Sequence, residues 1–156
     1  MTTAIEIPIT VCRQGAVIPR YTRAGDGGMD ITCPVDIVIP AGATMIAPTG
    51  LKVAVPEGWM LLVFPRSGIS VKTGLRVANS PGLIDAGYRD EVGVILHNTG
   101  TEEFALSAGT RIAQFVLVQR TEIVFTETMS VAEIGQNRGG GFGSTDLTAE
   151  SKATTP

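Results

Sequence analysis

Histidine occurs once in the 156 residues, at His97, and cysteine twice, at Cys12 and Cys33. One imidazole cannot assemble a histidine-based metal site, and two thiols without a CxxC pair suggest neither a thiolate zinc site nor a disulfide framework. His97 therefore reads as a structural residue on or near a strand face, and the simplest compartment is the reducing cytoplasm. No HExxH and no P-loop ending in Gly-Lys-Ser/Thr occurs. The longest unbroken apolar run, residues 59–64, falls far short of the roughly 20 residues a membrane-spanning helix needs. Glu6 interrupts the opening apolar stretch and the first basic residue is Arg13, which is unlike a secretory signal. With only 17% charged residues and a net charge of −3, the whole-molecule field opposes a bulk polyanion, so no direct nucleic-acid or membrane partner is expected. Any phosphate this chain binds must be gripped locally.

What the chain does have is branched side chains. Fifteen valines and 14 isoleucines stand against nine leucines, with 18 threonines besides, a bias that suits pleated strands better than helices. Ile5, Ile7, Ile9 and Val11 alternate with other residues, the mark of a strand with one buried face, and Pro8 restricts that strand to an edge or outward position. Further strands are expected at 35–39, 44–47, 51–55, 59–64, 75–78, 91–98 and 112–119. Turns are expected between them at Ala41-Gly42, Thr49-Gly50, Glu57-Gly58, Asn98-Thr99-Gly100 and Ala108-Gly109. The pattern predicts an all-β barrel or sandwich with very little helix, the best helical segment being 69–73. Residues 1–134 read as one domain, 135–146 as a flexible glycine-rich arm, and 147–156 as a small, polar, disordered tail.

Four constellations carry residues suited to chemistry. Pro65-Arg66-Ser67-Gly68 ends the most apolar strand and offers a guanidinium fork, a hydroxyl and a glycine for close backbone approach, or else a solvated turn. Asn79-Ser80-Pro81-Gly82-Leu83-Ile84-Asp85-Ala86-Gly87-Tyr88 sets an amide, a carboxylate and a phenol around two turns. Asp85 can orient and deprotonate a water and Tyr88 can pack against a sugar, or the pair caps a turn and fills the core. In Gly109-Thr110-Arg111-Ile112-Ala113-Gln114, polar Arg111 and Gln114 interrupt a core-like strand and want partners, an ion pair being the better reading of Arg111. Arg138 to Thr145 is glycine-rich, with Phe142 free to stack on a base, or it is a plain linker.

Taken in order, and preceded by Ala24-Gly25-Asp26-Gly27-Gly28-Met29-Asp30-Ile31, these segments resemble the five motifs of the trimeric dUTPase family, from about residue 17 to 146. The resemblance implies a jelly-roll-type β-barrel and a homotrimer whose active sites each draw on all three chains, with the arm 135–146 closing over a neighbour's site. It implies hydrolysis of dUTP to dUMP and pyrophosphate, which keeps uracil out of DNA and supplies dUMP for dTMP synthesis. Asp85 would activate the water that attacks the α-phosphorus. Tyr88 would lie beneath the deoxyribose, while Asn79 and the hairpin backbone around Gly82 and Ile84 would pair with uracil. Ser67 would donate to the oxygen bridging the α- and β-phosphates, beside Gly68, and Arg66 and Gln114 would support the phosphate chain and the water shell of the metal. Arg138, Gly143, Ser144 and Thr145 would grip the γ-phosphate, with Phe142 over the base. Mg²⁺ would arrive with the triphosphate and meet Asp30 through water.

The sequence departs from the family pattern where Asp90 replaces the second glycine of Gly-Tyr-Arg-Gly-Glu, so the turn after Tyr88 is expected to differ or to bring a second negative charge close. In the first motif, Gly27 stands where alanine is usual. A related dCTP deaminase would need a catalytic glutamate where this chain has Ile95, which disfavours deamination. A nucleotide-binding regulatory protein of the same fold, hydrolysing weakly, is the alternative.

Overall fold

Branched apolar residues at alternating positions become short antiparallel strands in the computed structural model, which describes residues 4–137. The described chain forms two units, 4–121 and 122–137. In the first, β1 (Ile9–Val11), β4 (Thr44–Val53), β8 (Glu91–Asn98) and β6 (Leu75–Val77) make one sheet in the order β1-β4-β8-β6. A second sheet runs β2-β10-β5-β7, from β2 (Met29–Thr32), β10 (Arg111–Gln119), β5 (Trp59–Phe64) and β7 (Gly82–Ile84), and β3 (Ile37–Ile39) pairs with β9 (Phe104–Leu106) as a ribbon. The one helix among the described residues is α1 (Ser67–Lys72). This is the expected all-β architecture of jelly-roll type, with its two sheets and ribbon not joined into a closed barrel.

The core lies on the facing sides of the two sheets. On β8, Val92, Val94, Leu96 and Asn98 are buried while the residues between them are partly exposed, and β5 contributes Leu61 and Val63. Ile31, Ile112 and Phe115 come from β2 and β10. Asn98 is the polar exception and is fully engaged. Its Nδ2 donates to the carbonyls of Ile39 (3.0 Å) and Glu102 (2.8 Å), and its Oδ1 accepts the Gly100 amide (2.9 Å). One buried side chain thus ties the end of β3 to the loop leaving β8. His97 lies on a strand face as expected, its Nδ1 3.0 Å from the Thr44 hydroxyl.

Two strand expectations need correction. The segment 5–11 pairs only over Ile9–Val11, because Pro8 has no amide to donate, although its carbonyl accepts Ala54 N at 2.9 Å. The segments 44–47 and 51–55 are one strand rather than two, and Thr49-Gly50 is a bulge rather than a hairpin turn. The register with β8 runs Pro48↔Gly93 and then Lys52↔Glu91, so three residues of β4 stand opposite the single residue Val92. Two extra residues are an even number. A slip of one would turn every following side chain to the other face, whereas this bulge keeps Ala47, Thr49, Leu51 and Val53 all buried. Gly50 takes the positive φ of 71°, and a Cβ there would lie 2.5 Å from that of Ala16 and 3.0 Å from that of Arg13. The freed polar groups find partners, since the Thr49 hydroxyl donates to Val92 O (2.7 Å) and Gly50 N donates to Glu91 Oε1 (2.9 Å). Close by on β8, Gly93 sits under the side chain of Ile46, whose Cγ2 occupies the space that a Cβ on Gly93 would need.

Helix α1 begins two residues earlier than expected, directly at Ser67, with Arg66 as its N-cap. The short strands β2, β7 and β9 were not expected from alternation. In the unit 122–137, Ile123, Val124, Phe125, Met129, Val131 and Ile134 are exposed, Phe125 at 91%, and a turn is closed by Ile134 N donating to Val131 O (3.1 Å).

Replacing Asn98 with alanine takes a donor from the carbonyls of Ile39, Pro40 and Glu102 and an acceptor from the Gly100 amide, and is expected to cost about 1–3 kcal/mol, seen as a lower urea midpoint with unchanged m-value.

Candidate active site

Antiparallel register brings three of the distant motifs to one end of the second sheet. Asp30 of β2 stands opposite Gln114 of β10, and Gln114 stands opposite Phe64 of β5, two residues before Arg66. The Gln114 amide donates to Pro65 O at 2.9 Å, holding the turn that carries Arg66. Arg66 grips the Asp30 carboxylate through Nε (2.6 Å) and Nη2 (3.2 Å), and its Nη1 donates to Arg111 O at 3.3 Å. Arg111 adds a third contact, Nη1 to Asp30 Oδ2 at 3.0 Å, and is the ion-paired residue its sequence context suggested. Two guanidiniums on one carboxylate leave a local excess of positive charge on a chain that is negative as a whole. Arg66 and Asp30 are mostly buried while 57% of the Arg111 side chain is exposed, so the excess faces solvent. Ser67 and Gly68 follow at the exposed first turn of α1.

The second group lies on the hairpin between β6 and β8. Gly82 and Ile84 are buried in β7, opposite Val63 and Leu61, and an added methyl on Gly82 would sit 3.3 Å from the Asn79 amide nitrogen. Asp85 follows at once and is exposed, with no hydrogen-bond partner for its carboxylate among the described residues. Tyr88 N donates to Asp85 O (3.1 Å), and the Tyr88 hydroxyl donates to Glu91 O (2.8 Å), with the residue 37% exposed. Asp90 is exposed and has negative φ, since no residue but glycine takes a positive φ among those described, so this turn does not need the glycine that the family pattern places there.

The two groups stand at opposite ends of β5. Asp85 lies just beyond the Leu61↔Ile84 pair, and Arg66 is five residues after Leu61, which at about 3.3 Å per residue separates them by roughly 15–20 Å. A cleft of about 600 Å³ is lined by Asp30, Arg111, Arg20 and Thr22, and a more apolar one of about 530 Å³ by Ile5, Ile7, Met29 and Phe115; neither contains Asp85 or Tyr88. Arg138, Phe142, Gly143, Ser144 and Thr145 lie outside the described residues.

Sequence reasoning gave Glu91 no role, although it is the last residue of the third motif. Arg13 Nε donates to both of its carboxylate oxygens, at 2.6 and 2.8 Å, and this hydrogen bond is the main cause holding the carboxyl below the usual carboxylate range. Burial pushes the Cys33 thiol up, which makes it unreactive.

A metal held directly by protein does not suit these residues. Among the described residues no three acidic, histidine or cysteine groups cluster, and both oxygens of Asp30 already accept from arginine. A cation carried by a polyphosphate and reaching Asp30 only through water does suit them, because a carboxylate has lone pairs beyond those two bonds.

The chain is a facing-sheet β protein that concentrates arginine at one sheet end and offers an uncommitted carboxylate on a hairpin, and comparison with known proteins gives its family. Residues 14–146 match the dUTPase family model. The chain is 43% identical over 135 residues to the deoxyuridine 5'-triphosphate nucleotidohydrolase of Cutibacterium acnes, covering 85% of this chain and 87% of that protein. It is 36% identical over 148 residues to the enzyme of the same name from Gloeothece citriformis, covering 94% of this chain and 100% of that one. Among solved structures, the dUTPase of Staphylococcus bacteriophage 80alpha with dUPNHPP superposes with a TM-score of 0.83 at 23% identity, over 92% of this chain and 100% of that one. A mutant dUTPase from phage phi11 of S. aureus, described with a structural Mg(II) ion, superposes at 0.75 and 22% identity, over 82% and 99%. The chain belongs to the dUTPase family.

Asp30→Ala removes a carboxylate shared by two arginines and is expected to cost about 1–2 kcal/mol of stability at low salt, less at about 1 M salt, measured as the shift of the thermal midpoint.

Proposed function

We propose that the chain hydrolyses dUTP to dUMP and pyrophosphate, as a homotrimer in which each site combines the Asp30–Arg66–Gln114 end of one copy with the Asp85–Tyr88 loop of another. The observation that carries the sharing is the separation along β5. Groups roughly 15–20 Å apart cannot both touch one α-phosphorus, yet a second copy can bring its loop to the first copy's arginines. The enzymatic assignment is that of the family, and the exposure of Ser67, Gly68, Asn79, Asp85 and Tyr88 supports their part in it. Hydrolysis of dUTP removes a precursor of uracil in DNA and yields the dUMP from which dTMP is made.

Asp85 has a carboxylate free to accept a proton from water. As the water oxygen bonds to the α-phosphorus, the bond from phosphorus to the bridging oxygen breaks, pyrophosphate departs with that oxygen, and the water proton passes to Asp85. Arg66, Ser67, Gly68 and Gln114 meet the phosphate chain, where prearranged donors are worth most because charge develops on the leaving oxygen. Asp30 would hold part of the water shell of a magnesium ion carried by the triphosphate, which would supply charge neutralisation there. The Tyr88 ring supports the deoxyribose, its orientation set by the bond to Glu91 O. Asn79 and the backbone at Gly82 and Ile84 read the uracil edge, and a site built on hydrogen bonds can reject a mismatched base by about 10⁴-fold or more. The strand-bearing unit, described over residues 4–121, acts as the barrel domain. On the family's pattern, residues 135–146 would carry Arg138, Phe142, Gly143, Ser144 and Thr145 to a neighbour's nucleotide, with 147–156 following; residues beyond 137 lie outside those described. The cytoplasm is the proposed compartment, supported by the free thiols of Cys12 and Cys33.

With Mg²⁺ and separate samples of dUTP, dCTP, dTTP and UTP, pyrophosphate release is expected from dUTP alone. Asp85→Asn should reduce it about 10²–10⁴-fold. Light scattering should give a mass near three times 16.3 kDa. A monomer with full activity would overturn the shared site.

A further inference from the structure

Glu91 is itself assigned no contact with substrate, yet it fastens together three stretches of chain. Its carboxylate accepts the forked bond from Arg13, 78 residues away, and the amide of Gly50 in the β4 bulge, 41 residues away. Its backbone carbonyl accepts the Tyr88 hydroxyl. Beyond Ile84 the chain leaves β7 and rejoins a sheet only at Glu91, the first residue of β8, so residues 85–90 span the gap between two ladders. Inside that span the bonds are local. Tyr88 N reaches Asp85 O, and the Arg89 guanidinium reaches the carbonyls of Ala86 and Tyr88. Among the described residues, the bonds of the Glu91 carboxylate are the only side-chain hydrogen bonds that lead out of residues 85–91 to the rest of the molecule.

We infer that the Arg13–Glu91–Gly50 clamp positions the Asp85–Tyr88 loop for the nucleotide, Glu91 being a positioning residue that acts through Tyr88. The inference rests on the reading that Asp85 and Tyr88 belong to the site. Arg13 lies one residue before the segment that matches the family, so the clamp ties the family's third motif to chain outside that match. The Tyr88 ring is fixed at its hydroxyl end by one carbonyl, and that carbonyl is as fixed as the residue that owns it. Releasing the carboxylate frees the first residue of β8 to fray, and the Tyr88 ring then samples several placements where the bound nucleotide requires one.

The charged and titratable groups facing the carboxylate are Arg13 from the turn after β1 and Lys52 from β4, with Cys12 beside Arg13. Both cations favour the ionised form. A carboxyl depressed in the folded state contributes stability above its unfolded value of about 4.3, and that contribution disappears as pH falls through the folded value. The clamp is therefore closed throughout the neutral range and opens only in acid.

The test uses the full-length protein with Mg²⁺ and dUTP. Glu91→Gln and Arg13→Gln are each expected to raise KM for dUTP about 3- to 10-fold with kcat within about 2-fold, and Arg13→Lys to recover part of the loss. The double variant should be no worse than Glu91→Gln, because both changes open one clamp. The stability gap between the parent and Glu91→Gln should narrow from about pH 7 toward about pH 3. If Glu91→Gln fails to fold, Arg13→Gln, whose site is half exposed, carries the test. Unchanged KM in folded variants, a loss confined to kcat, or effects that multiply in the double variant would each overturn the clamp. Asp85→Asn run in parallel separates the two readings. Lost turnover there with normal KM in Glu91→Gln sinks the clamp and leaves the site, whereas full turnover in Asp85→Asn sinks both.

Discussion

The pairing of β4 with β8 is the seam on which the molecule is built, and its constraint is one of parity. Three residues of β4 face Val92 alone, and because the surplus is two, the strand continues with the same face inward. Had the surplus been one, Leu51 and Val53 would point to solvent and the β1 end of the sheet would lose its inner face. The same irregularity turns the Gly50 amide out of the ladder, and a buried amide without an acceptor is costly, which is why a carboxylate at the start of β8 belongs there. Packing on one side of the seam and loop geometry on the other follow from a single local event.

The second sheet does a different job. Register in β2, β10 and β5 converts sequence separations of dozens of residues into neighbours, so that Asp30, Gln114 and the Arg66 turn form one rim. Placing the carboxylate between two arginines lets like charges approach without leaving either cation unpaired, and it fixes their planes before any ligand arrives. A net-negative chain can thereby present a positive spot of molecular size, which suits a small polyanion and not a long one.

The fold class was legible because branched residues and glycine turns are strong local signals. Gly42, Gly58 and Gly109 all take the positive φ that their turn pairs suggested. Thr49-Gly50 carries the same local signal, but a glycine with positive φ serves a bulge as well as a turn, and only the register with a strand some 40 residues away decides between them. The strands β2, β7 and β9 have three or four residues, too few for alternation to show. The types and order of residues single out Asp30, Arg66 and Gln114 as candidates, and the structure groups these three as neighbours. Glu91 was not legible, since its meaning comes from Arg13 at a sequence distance that no motif spans.

Gly93 and Ile46 show how far such coupling reaches into what the chain can become. The isoleucine lies across the glycine from the neighbouring strand, 68% exposed yet filling the space where a methyl group would otherwise stand. The two positions share one fixed volume, so a larger residue at 93 is admissible only alongside a smaller one at 46. Variation at these sites is therefore correlated, and a substitution judged at either position alone is judged against the wrong background.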